Sequence, residues 1–139
     1  MKIERKTMIT GEIVTMLESL EEFDQKDIRM PIVLSWALED NLESLKKIKD
    51  KYLKSRAKIE IEFVEDKKVN EGTTKIKEEF LVEFRDRLSE LLLIENTLDI
   101  QMVPFSLLEG REFSSKEIRA IKFMIDREET NNENVADSE

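Results

Sequence analysis

A chain of 139 residues suits one domain, burying about two-thirds of the surface its unfolded form exposes. Charged residues make up 40% of it, against roughly a quarter in an ordinary globular domain. Only three glycines and two prolines interrupt it, so long, solvent-washed helices are expected. The net charge of −9 speaks against a nucleic-acid backbone or an anionic membrane as the main partner. Cysteine and histidine are both absent. That removes disulfides, thiolate chemistry, Cys–His and Ser–His nucleophile pairs, and the commonest metal ligands.

The start, Met1-Lys2-Ile3-Glu4-Arg5-Lys6, lacks the apolar centre of a signal peptide. No run approaches the ~18 apolar residues of a membrane helix. A cytoplasmic protein is the expectation.

The first helix is expected from about Met8 to Phe23. Ile9, Ile13, Met16, Leu17, Leu20 and Phe23 share one face at the helical period, with Thr7 or Thr10 as cap. Residues 24–30 read as a connector, and Pro31 suits the first turn of a second helix. There Leu34, Leu38, Leu42, Leu45, Ile48, Tyr52, Ile59 and Phe63 keep to one stripe of roughly 120°. The alternation Lys58-Ile59-Glu60-Ile61-Glu62-Phe63 also fits a strand. Periodicity leaves that choice open, and helix to about Ala57 is the favoured reading.

Glu65 to Thr74, with Gly72, reads as a loop. A third helix should run from about Lys75 to Glu95, with Ile76, Phe80, Phe84, Leu88, Leu91 and Leu92 inward. Alternation then replaces helical spacing over 97–103, predicting a strand stopped by Pro104. Its partner could be Lys2–Lys6, Lys58–Phe63 or the same strand of another copy. Ser114 and Glu117 have capping-box spacing and should start a last helix, with Ile118, Ile121 and Ile125 on one face. Residues 129–139 form an acidic tail with almost nothing to bury, expected to be disordered outside a single domain of residues 1–128. The fold class is therefore mainly α with a minor β element: an antiparallel core of about four helices with one short strand or two-stranded ribbon.

No cofactor or metal is expected. The acidic groups Glu21, Glu22, Asp24 and Glu39, Asp40, Glu43 read as solvated helix faces in a chain with 32 carboxylates. The basic run Lys46, Lys47, Lys49, Lys51, Lys54, Arg56, Lys58 has no interleaved aromatic residues for base stacking, and also reads as a solvated face. Ile32 and Trp36 lie off the leucine stripe. The favoured explanation is that two neighbours sandwich this end of the helix; the alternative is a partner surface. Ile32, Trp36, Met102 and Phe105 are the candidate residues of such a surface. The unpaired strand and the long second helix suggest a homodimer.

The start MKIERK, the Pro-led second helix, the stretch EEFLVEFRDRLSELLLIENTLDIQMVPFSLLEG (78–110) and FSSKEIRAIKFMI (113–125) resemble small phage and prophage proteins of low-GC Gram-positive bacteria. The likeness, of layout and flavour, covers about residues 1–128. It implies a phage accessory protein acting in the host bacterial cytosol, with no catalytic signature to carry over. A non-enzymatic protein that binds a protein partner is the expected function, and inhibition of a host defence protein is one form of it. The alternatives are a virion structural or assembly factor acting as a homo-oligomer, and a small-ligand protein sequestering a signal nucleotide. Deleting Thr130–Glu139 should leave the melting temperature within about a degree or two; a ten-degree drop in a thermal melt would place the tail in the fold.

Overall fold

The computed structural model describes residues 2–26, 29–63 and 78–127. The expected loop 65–74, the first turn of the expected third helix and the tail 129–139 lie outside them. In chain order the elements are β1 (Lys2–Ile9), α1 (Thr10–Gln25), α2 (Ile32–Phe63), α3 (Leu81–Leu92), β2 (Glu95–Pro104), α4 (Ser115–Ile121) and β3 (Ile125–Asp126), with short 3₁₀ turns before α3, after β2 and after α4. The fold is mainly helical with a minor sheet. That sheet has three strands in the order β1-β2-β3, rather than one strand or a ribbon.

β1 runs antiparallel to β2, with Lys6 opposite Leu98, Glu4 opposite Ile100 and Lys2 opposite Met102. Residues directly opposite share a face. The buried Leu98, Ile100 and Met102 therefore share theirs with three charged residues of β1. Two of these are tethered: Lys6 Nζ donates to the Phe123 carbonyl at 2.7 Å, and Lys2 lies 3.4 Å from the buried Asp126 carboxylate. On the opposite face Arg5 meets Asp99 at 3.3 Å and the Thr7 and Thr97 hydroxyls are 3.2 Å apart.

On its other side β2 is paired in parallel by β3 for only two residues, Val103 with Ile125 and Pro104 with Asp126. A helix side chain supplies the next pairing. Asn41 of α2, fully buried, donates from Nδ2 to the Gln101 carbonyl at 3.0 Å and accepts the Gln101 N–H on Oδ1 at 2.9 Å. A primary amide offers the same donor and acceptor as a peptide group, so Asn41 stands in for one residue of a missing strand.

Two apolar clusters result. The larger joins Ile13, Leu17, Leu20 and Phe23 of α1 with Leu34, Leu38, Leu42 and Leu45 of α2, the inner residues of β2, and Ala120, Ile121 and Met124. Each fully buried leucine or isoleucine contributes about 1.5–3 kcal/mol. The smaller lies farther along α2, where Ile59 and Phe63 pack on Phe84 with Phe80, Leu88 and Leu91. A third junction is polar: Thr10 Oγ1 donates to the Ile94 carbonyl and accepts from Asn96 Nδ2, binding the β1–α1 corner to the α3–β2 corner.

Several expectations change. Met8 and Ile9 close β1 instead of opening α1, and the residue before α1, Ile9, gives no side-chain cap; Thr10 is engaged with Ile94 instead. α2 continues past Ala57 to Phe63 because Ile59 and Phe63 find a helical partner, so residues 58–63 are not a strand. α3 is shorter than expected, ending at Leu92. The capping box forms, with Glu117 N–H donating to Ser114 Oγ at 3.1 Å and Ser114 N–H to Glu117 Oε1 at 2.9 Å, yet α4 has only seven residues. Ile125 leaves it to pair with β2. The Ser114 N–H at its carboxylate, with Lys26 nearby, holds the Glu117 pKa below the usual range. Folding therefore gains from this group above the ordinary glutamate pKa, and the gain fades as pH falls through the lowered one.

The Asn41 pairing gives a direct test. Asn41→Ala leaves the part-buried Gln101 N–H and C=O without partners and empties a buried site, and should cost about 2–5 kcal/mol in denaturant unfolding. Asn41→Asp keeps the acceptor but buries a carboxylate with no donor to offer Gln101. Its folded pKa is raised, so this variant should gain stability as pH falls through that value, where the O–H form restores the donor. A pH titration of unfolding compared with the parent checks the sign.

Candidate protein-interaction surface

α2 spans 32 residues, or about 48 Å at helical rise, and its neighbours α1, β2 and α3 lie on one side. Asn41, Leu34, Leu38 and Leu45 point to that side. At 100° per residue, Trp36 falls roughly 170° from the centre of the buried stripe and Ile32 about 150° from it. The surface they form is exposed: Ile32 by 68%, Trp36 by 67% and the adjoining Val33 by 40%. The expected sandwich around Trp36 is thus corrected. Nothing among the described residues covers the outer side of this helix end.

The other two candidates separate from this pair. Met102 is 3% exposed and belongs to the main core, because it shares the inward parity of Leu98 and Ile100 on β2; it is not a surface residue. Phe105 is partly exposed, with the Arg127 guanidinium over its ring at 5.9 Å. The missed members are Val33, beside Trp36, and Leu53 and Ile61 farther along the outer face of α2, both exposed. Their positions off the leucine stripe were the available signal.

Between the apolar ends of this face the charges are sorted. Glu39, Asp40 and Glu43 follow Trp36, all exposed. Glu43 reaches Lys47 at 3.9 Å, while Glu39 and Asp40 have no ion pair among the described residues. Lys46, Lys47, Lys51, Lys54 and Lys58 come next, likewise exposed. An open groove of about 360 Å³ runs beside them, lined by Asp24, Leu42 and the charged Glu39, Glu43, Lys46, Lys47 and Asp50 of α2. Among the described residues no group of three or more carboxylates is placed to hold a metal ion. A smaller cleft of about 70 Å³ lies over Tyr52, Thr10 and Asn96. There Asn96 Nδ2 donates to Thr10 Oγ1 and Arg56 to the Tyr52 hydroxyl.

No protein-family model matches the chain, and neither the curated proteins nor the solved structures compared with it give a match.

Burial predicts opposite outcomes two residues apart on α2. In dilute solution Trp36→Ala should change stability by less than about 1 kcal/mol, whereas Leu38→Ala should cost about 2–5 kcal/mol. Urea titration of both variants distinguishes a free outer face from a covered one.

Proposed function

We propose that this chain is a non-enzymatic protein that works by binding another protein through the apolar start of α2. The exposure of Trp36 beside Ile32 and Val33 carries the reading. Tryptophan is enriched at binding hot spots, and a folded chain gains nothing from leaving its only tryptophan in water. The sequence resemblance supplies the setting, a phage or prophage accessory protein in a bacterial cytosol. A net charge of −9 suits inhibition of a host defence protein with a basic surface, and electrostatic attraction would speed that encounter. The homo-oligomeric reading gains one specific observation, the charge order along α2.

The tagged full-length chain and its Trp36→Ala variant, incubated with lysate of a low-GC Gram-positive host, provide the test. A captured protein that disappears with the variant, at unchanged far-UV circular dichroism, is the expected outcome. Equal capture by both chains removes Trp36 from the interface and this reading with it.

A further inference from the structure

We infer that the outer face of α2 is built to receive the same face of a second copy of this chain, the two helices running antiparallel. The inference rests on the reading of that face as a protein interface and names its occupant.

The argument begins with spacing. Steps of four and three residues from Ile32 reach Trp36, Glu39 and Glu43, then Lys46, Asp50, Leu53 and Ala57. Every one of these positions is exposed. Alternating four-and-three steps average 3.5 residues, the repeat that keeps one seam in contact along a pair of supercoiled helices. The seam spans about 37 Å, outside the buried stripe of α2, with Asp24 of α1 bordering the groove at its charged centre.

Its chemistry is self-complementary in one direction only. An antiparallel partner whose Leu53 meets Trp36 also places Ala57 against Ile32 and Lys46 against Glu43. The two-fold axis repeats each contact, giving apolar layers at both ends and two opposite-charge layers at the centre. Two symmetry-related layers are unfavourable, Glu39 against Asp50 on either side of the centre, but Lys46, Lys47 and Lys54 stand one turn from that aspartate on its own helix. A parallel partner in register would instead set Glu39 on Glu39, Glu43 on Glu43 and Lys46 on Lys46. Charged seam positions weaken association and fix its orientation.

The full-length chain, purified alone, is followed by light scattering after gel filtration and by Trp36 emission over a dilution series. The expected result is a mass rising from one to two chains with concentration, the emission moving to the blue in step. Trp36→Glu and Leu53→Glu should each weaken the dimer about tenfold or more, with helical circular dichroism unchanged because the single chain leaves both positions in solvent. Glu43→Lys and Lys46→Glu each place like charges opposite and should weaken it too. The double variant restores opposite pairing and should recover the parent affinity. A chain that stays monomeric throughout overturns the inference. The interface reading survives that result if Trp36→Ala still loses capture from lysate, and falls with it if capture is unchanged. A dimer indifferent to Leu53→Glu, or charge variants not rescued in combination, overturns the antiparallel seam.

Discussion

The pairing of Asn41 with the backbone of Gln101 decides how the helices meet the sheet. β2 is the central strand, and its polar groups need partners on both sides. β1 supplies one side from Glu95 to Met102, while β3 supplies the other at Val103 and Pro104. By offering a donor and an acceptor from one side chain, Asn41 extends that second side without another strand. Both its bonds are directional, so they fix the rotation of α2 about its axis as well as its position along β2. Leucine packing alone is tolerant of such rotation; two hydrogen bonds to a single backbone residue are not. Once α2 is set at Asn41, Leu34, Leu38 and Leu45 turn inward, and Trp36 is carried to the opposite side. The exposure of the aromatic ring is thus a geometric consequence of a buried amide five residues later.

The edge of β1 is managed by different means. An eight-residue edge strand offers unpaired backbone to any other chain. Here the inward side of that strand carries Lys2, Glu4 and Lys6, with both lysines reaching partners near the end of the chain's described part. Charge on the inner side of an edge strand disfavours extension of the sheet. Contact with a partner is thereby directed to other surfaces, the outer face of α2 among them. This division of surfaces agrees with the proposed association through helices.

Much of this was legible in the sequence, and the failures have separable causes. The stripes of α1, α2 and α3 could be read because burial on one face imposes a 3.6-residue period, and the Ser114–Glu117 box because it is a local contact. β1 was legible only as one of three possible partners for β2, the one the structure shows: Lys2 to Lys6 alternates no apolar residue inward, since ladder bonds rather than burial hold that strand to β2. β3, at two residues, is too short to have a period. Ile59 and Phe63 satisfied helix and strand alike until Phe84, a partner distant in sequence, settled the matter. For Trp36 the angle on the helix was correct and the number of neighbours was not, because periodicity gives direction and says nothing of how many layers lie there. Met102 is a different case. Its parity with Leu98 and Ile100 already placed it inward, and the alternation that identified the strand should have excluded it from any surface.

The second apolar cluster has a consequence for how the molecule opens. Ile59, Phe63 and Phe84 retain 8–9% exposure, where many residues of the main core have none. They are joined to that core by the uninterrupted helix α2 and by the polar junction at Thr10, Ile94 and Asn96. Such a small cluster is expected to open as a separate unit of lower stability. Backbone amides of α2 should therefore exchange slowly up to about Leu45 and progressively faster toward Phe63, although the helix is continuous. Opening of α3 should accordingly cost less than opening of the sheet, α1 or the first half of α2.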